Sequence, residues 1–278
     1  MGLTIHYSLK ASGKDAQARK LIHALHQTAA DLPFQELGEV VEISGGQCDF
    51  NQRRQNDPLR WLLVQASGSV ELKPADGARP GRCQTWVEVV PSRLIAFTTW
   101  PGEGCEAANF GLCQYPSVLK TPHGPIATGL TGWRWSSFCK TQYASDPRCG
   151  GVPHFLQCHL CVIALLDRAQ ALGCLECVSD EGGFWERRDL SALVQEIGSW
   201  NEMLAAFGGK LKDLLGEGPS GVQSAITRYP NFEQLEAAGQ DQLPPGYEQL
   251  VKLLGRVGAR VRERPATRCA IVPSAPSP

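Results

Sequence analysis

His154, Cys158 and Cys161 are spaced four and three residues apart. At 100° per residue on a helix, such positions fall within about 60° of one another. An imidazole and two thiolates on one face suit a tetrahedral zinc ion, with a fourth ligand from the preceding loop, Cys139 or Cys149. Leu165, Ala169 and Leu172 continue the same face, so it is also the face expected to pack on a sheet. There, unligated cysteine serves as a small apolar residue.

Cys139 offers a second chemistry, as a nucleophile, because Lys140 follows it and a nearby cation favours the thiolate. His154 or His159 would supply the base. The competing expectation is a buried structural thiol. Carboxylates offer a third. Glu103 and Glu106 flank Cys105 just after an expected strand, and Asp180 and Glu181 open a glycine-rich turn at another strand end. Carboxylates so placed can serve as general acid and base or hold a cation. The plain alternative is a solvated turn whose acids meet Arg187 and Arg188 at the surface, where such pairs contribute little.

Polar and aromatic residues cluster near these acids. Asn109, Gln142 and Tyr143 are candidate ligand contacts, and Trp100, Trp133 and Trp185 candidate apolar walls. Near the C-terminus, Lys252, Arg256, Arg260, Arg262, Arg264 and Arg268 form a basic run. No aromatic residues are interleaved with it, which argues against a nucleic-acid surface. His6, His23, His26 and His123 have no sequence partner that would give any of them a specific role.

These residues sit in a chain of 278 with a net charge of −1 and 42% hydrophobic composition, enough for a packed core and without a global drive toward polyanions. Eleven cysteines, an odd number, and no visible export signal predict free thiols in a reducing cytoplasm. The longest dense apolar stretch, Cys158 to Leu166, is far shorter than the ~20 residues a membrane helix requires.

The elements that must position the chemistry follow from periodicity. Alternation of Leu3, Ile5, Tyr7 and Leu9 predicts a strand, and helical spacing from Lys14 to Leu32, ended by Pro33, predicts a helix. Val40 to Ile43 reads as a strand. Trp61 to Ala66 and Val70 to Leu72 read as a hairpin around Ser67-Gly68-Ser69, and Trp86 to Val90 with Leu94 to Thr99 as another. Pro101 to Pro153 reads as a long irregular segment rich in cysteine, tryptophan and glycine, with a short strand at Trp133 to Ser137. Helices follow at Val152 to Leu172, from an Asp189 cap to Phe207 where Gly208-Gly209 breaks it, at Asn231 to Ala238 and at Tyr247 to Val261, with a strand at Cys174 to Val178.

The fold class expected is α+β: a mostly antiparallel sheet, or a mixed one, packed by helices. The expected divisions are a domain over 1–215, a helical extension over 216–263 and a loose tail over 264–278. Two functions follow from the same residues. One is a pocket formed by strand-end loops, performing hydrolytic or group-transfer chemistry. The other is a non-catalytic module that binds a protein or ligand, its cysteine-rich loop ordered by packing or by one zinc ion.

Overall fold

The structure, a computed structural model, describes residues 3–72, 85–121, 124–215 and 224–243. In chain order its elements are β1 (Thr4–Ala11), α1 (Asp15–Ala30), β2 (Glu36–Leu37), β3 (Val41–Ser44), α2 (Leu59–Ala66), β4 (Gly68–Leu72), β5 (Thr85–Val89) and β6 (Arg93–Trp100). Then come β7 (Ala108–Gln114), β8 (Val118–Thr121), β9 (Gly124–Ala127), β10 (Trp133–Lys140), α3 (Gly151–Ala171), β11 (Leu175–Asp180), α4 (Phe184–Arg187), α5 (Leu190–Leu215) and α6 (Phe232–Gly239). The helix expected at Tyr247 to Val261, the basic run, the tail and His123 lie outside the described residues.

The fold is α+β. Its main sheet runs β11-β1-β10-β7-β6, with β2 and β3 both paired to β6, and every one of these pairings is antiparallel. β1 shows why. Ile5, Tyr7 and Leu9 are buried while His6 and Lys10 on the opposite face are exposed, the two-residue period of a strand with one covered face. The covered face receives α1, which packs on β6, β7 and α3 through Ala18, Leu21, Ile22, Leu25 and Ala29. An aromatic row fixes this layer: Tyr7 stacks on Phe110 at 4.9 Å between ring centres, Phe110 on Phe97 at 5.8 Å, and the His26 ring meets Phe97 edge-on.

Several expectations are corrected. Trp61 to Ala66 belongs to a helix, because Leu62, Leu63 and Ala66 are buried while Trp61 is 75% exposed, a helical rather than alternating pattern. The Asp57 carboxylate accepts from the Leu59 amide at 2.9 Å and starts that helix. β4 therefore pairs with β5 in a separate two-stranded sheet, and β6 with β7, so neither expected hairpin forms. The stretch from Pro101 to Pro153 is not one irregular segment: it contains β7 to β10, and only 101–107 and 141–150 remain irregular at the sheet's end. Gly208-Gly209 does not break α5. A Cβ on Gly209 would overlap the Glu236 carboxylate, so the glycine serves close helix packing rather than termination.

By its contacts the chain divides into two compact units, Met1–Gly198 and Ser199–Pro278, the division falling within α5. In the second unit Ala205, Ala206, Ile226 and Phe232 are buried. Every candidate chemical group among the described residues lies in the first.

Antiparallel pairing sets which groups meet. The N-terminal ends of β1 and β7 and the C-terminal ends of β6, β10 and β11 all lie at one end of the sheet. The 101–107, 141–150 and 181–183 loops leave from that end, beside the first half of α3.

Candidate functional site

α3 supplies the centre of this end. Its residues Phe155, Cys158, His159, Val162 and Leu166 are buried, the stripe a helix presents to a sheet. One turn before Cys158, His154 sits at the helix edge, and its ring nitrogens Nε2 and Nδ1 lie 3.6 and 3.9 Å from Cys158 Sγ. His154 Nε2 is also 3.1 Å from the Glu103 carbonyl oxygen. A carbonyl only accepts, so Nε2 carries the hydrogen and Nδ1 presents its lone pair to the thiol.

The β6–β7 loop closes over this pair. Gly102 packs tightly against both side chains, and Cys105 stands partly exposed in the same loop. The loop is held on both sides of Cys105: its amide donates to the Gly102 carbonyl at 3.0 Å, its carbonyl accepts from Trp100 Nε1 at 3.1 Å, and the Glu106 amide donates to the Lys140 carbonyl at 2.9 Å. The neighbouring Cys105 thiol holds the Cys158 thiol below its ordinary range against the opposing effect of burial, and is itself pushed far up. Where the other described cysteines shift, they shift upward: burial takes Cys161 and Cys174 to about 11 and raises Cys48, Cys113, Cys139 and Cys149. Cys158 is the described thiol most disposed to act as a thiolate.

The nucleophile expected at Cys139 is corrected by the same geometry. Cys139 is wholly buried, donates to the Glu106 carbonyl at 3.2 Å, and keeps its proton because burial opposes the thiolate. Lys140 gives it no help, since neighbouring strand residues point to opposite faces. The Lys140 ammonium instead lies 4.5 Å from the Tyr143 ring centre.

The three residues expected to hold zinc are only partly brought together. His154 and Cys158 come together, whereas Cys161 is buried one turn further along α3. Among the described residues no group of three or more His, Cys, Asp and Glu side chains is disposed to hold a metal ion. The sequence also contains two CxxC pairs, Cys158–Cys161 and Cys174–Cys177. The fold scatters them: the Cys174 thiol donates to the Ala169 carbonyl at 3.4 Å at the base of α3, and Cys177 is exposed on β11.

The acidic candidates divide. Glu103 and Glu106 are exposed in the loop beside the thiols. Asp180 is buried and serves as a hub: it accepts from the Gly182 amide at 2.9 Å, from the Trp185 amide at 3.0 Å and from His159 Nε2 at 3.2 Å. His159 Nδ1 lies 3.0 Å from Thr141 Oγ1, so the imidazole joins β11 to the end of β10. Burial opposes the Asp180 charge, but these partners together hold its carboxyl below the usual range. Thr141, His159 and Asp180 form a hydroxyl–imidazole–carboxylate chain in which every member is enclosed by protein. It reads as a strut rather than a reaction centre. Glu181 accepts from the Thr4 amide at 2.9 Å and caps β1.

Of the expected ligand contacts, Gln142 and Tyr143 lie in the loop after β10, Gln142 wholly buried. Trp185 stacks under the Arg188 guanidinium at 4.5 Å. Asn109 and Trp133 are elsewhere. The Asn109 side chain bonds to Gln65 of α2, and Trp133 begins β10 opposite Ala11, at the far end of the sheet. There it lines a cleft with the Arg19–Glu42 and Arg93–Asp15 pairs.

The face of β1, β10 and β11 turned away from α1 carries a groove that sequence reading missed. It has a volume of about 560 Å³ and is lined by His6, Ser8, Gln65, Ser136, Phe138 and Cys177. Its signal was the exposed half of the same alternation that marks β1 as a strand. No family model, curated protein or solved structure matches the chain, so the functional reading rests on this geometry.

Proposed function

We propose that the protein is a thiol-dependent enzyme of the group-transfer class, with Cys158 as nucleophile and His154 as its base. The observation that carries this reading is the His154–Cys158 contact beneath Gly102, with Nδ1, the ring nitrogen left with a lone pair, 3.9 Å from the sulfur. An imidazole beside a thiol, held by a third group, is the arrangement that activates sulfur nucleophiles. Here the Glu103 carbonyl is the third group, fixing the tautomer of His154. A carboxylate-pair hydrolytic mechanism is less well supported, because Asp180 is fully engaged by donors while Glu103 and Glu106 face solvent.

The setting agrees with this chemistry. The described cysteines are unpaired, which supports a reducing, cytoplasmic location, and no helix among the described residues is long and apolar enough to cross a membrane.

Iodoacetamide labelling at pH 6, resolved by peptide mass spectrometry, tests the proposal. Cys158 is expected to react at least tenfold faster than Cys139 and Cys174, and His154→Gln to slow it. Equal, sluggish reaction at all three sites would remove the nucleophile.

A binding role is the second reading, favoured by the groove on the open sheet face. Phe138, 45% exposed at its floor, gives an apolar ligand a contact surface. Loss of an environment-sensitive apolar dye in Phe138→Ser would support it, and unchanged dye binding would count against it.

A further inference from the structure

The thiols occupy one end of the main sheet, and the opposite end holds a buried donor with nothing to bind. Trp133 is 1% exposed, and its Nε1 hydrogen finds no acceptor among the described residues. A buried indole N–H ordinarily has a partner, since leaving it dry and unpaired is costly. We propose that the cleft against Trp133 is a binding site for a phosphate group, free or as a monoester, held by Arg19, Arg93 and the indole.

The topology gathers these groups. Trp133 opens β10 opposite Ala11, the last residue of β1, and α1 starts after a short turn from there. The first turns of α1 therefore stand at the same end, bringing Asp15 and Arg19. From the other side, antiparallel pairing sets Ser44 at the end of β3 opposite Arg93 at the start of β6. The cleft between them has a volume of about 120 Å³ and is walled by Asp15, Arg19, Ser44, Arg93 and Trp133. That suits one small oxyanion, with the rest of an ester standing outside.

Charge decides the sign of the ligand. Arg19 meets Glu42 side-on, Nε and Nη2 each 2.6 Å from a carboxylate oxygen, which turns Nη1 away from that partner. Arg93 meets Asp15 through Nη1, and His23 Nε2 lies 3.8 Å from Glu42. The side chains of both arginine pairs are more than a third exposed or close to it, so water screens them and their mutual hold is weak. Either guanidinium can turn hydrogens to a phosphate while staying beside its acid. Lys14 occupies the cap position of α1 without a side-chain cap, and the positive end of the helix adds to the same field. A cation fits poorly, because the indole only donates and both carboxylates already face arginine. Two guanidinium groups and one N–H can address three separate oxygens, which a tetrahedral phosphate offers and a carboxylate does not.

The test is isothermal titration calorimetry of the full chain at low ionic strength, with inorganic phosphate, phenyl phosphate and acetate. One phosphate per chain is expected, with acetate about tenfold weaker or more; the tighter of the two phosphates tells a free ion from an ester. Arg19→Gln and Arg93→Gln should each weaken phosphate by about tenfold, the worth of a hydrogen bond to a charged group. Trp133→Phe, which keeps the apolar ring and removes the N–H, should weaken it by about threefold or more. Asp15→Asn should tighten binding by removing a like charge, and it keeps the proposal falsifiable where Trp133→Phe fails to fold. Absence of phosphate binding, acetate bound as tightly, or an equal loss in Arg148→Gln at the thiol end would overturn the site. So would weaker binding in Asp15→Asn, or unchanged binding in a folded Trp133→Phe.

Discussion

Gly102 and Cys158 are in such close contact that a Cβ on Gly102 would stand 2.7 Å from the Cys158 sulfur and the same distance from His154 Cε1. Real Cβ atoms do not approach so closely, so either the loop or both side chains must move. Gly102 lies in the irregular stretch after β6, and the loop can give way without breaking a ladder pairing. Gly102→Ala should therefore fold, with a loss of about 1–2 kcal/mol from local overpacking. Its main effect should fall on chemistry: Cys158 labelling at pH 6 should change at least fivefold while labelling of exposed Cys177 stays constant. An unchanged Cys158 rate would show that the contact does not position the sulfur.

The Asp180 hub predicts an acid-sensitive fold. Its carboxyl is held below the ordinary aspartate range by His159 and two amides, despite burial. A carboxyl more acidic in the folded than in the unfolded chain stabilises the fold above its unfolded value, and that stabilisation is lost as pH falls through the folded value. Urea midpoints should thus fall steeply below about pH 4. Asp180→Asn should lower stability by about 2–4 kcal/mol at pH 7, because donors arranged for a charged acceptor lose it. It should also flatten the profile below pH 4. A wild-type-like slope in the variant would assign the acid transition to Glu42 or Asp146, which are also held low.

How far the sequence revealed these sites depends on burial. β1, α1 and α3 were legible because each has one wet and one dry face, and period two or 3.6 shows directly. β7 was not: Ala108 to Cys113 are all buried, so alternation vanishes, and Gly111 within it resembled a loop signal. That glycine is required because a Cβ would stand 2.6 Å from the Ala96 Cβ on the neighbouring strand. The site was legible as a list of residue types but not as a pairing. His154 and Cys158 read as metal ligands from their helical spacing, and the same spacing brings the imidazole to within 3.9 Å of the sulfur at both nitrogens. The approach of the β6–β7 loop to Cys158 joins a strand connection to a helix, and no local pattern reports it. Cys139 drew attention through Lys140, although adjacency on a strand separates side chains instead of joining them.

Residues that replace missing ladder bonds give a third prediction. β7 and β10 pair in register at Arg134 and Cys113, which leaves the Asn109 carbonyl without a strand partner there. Tyr7 OH donates to it at 2.7 Å and Trp135 Nε1 at 2.9 Å, both from buried side chains. A carbonyl has two lone pairs, so each donor occupies one. Tyr7→Phe removes one donor and leaves the ring in its stack on Phe110, so the cost should be about 1–2 kcal/mol in urea denaturation. Trp135→Phe costs more because volume is lost as well, about 2–4 kcal/mol. The double variant strips both donors and strands a buried carbonyl. Its loss should exceed the sum of the single losses by about 1 kcal/mol, because each single variant retains one satisfied lone pair. Strict additivity would show that water or another donor reaches Asn109, and that the two side chains do not act as substitutes for the ladder.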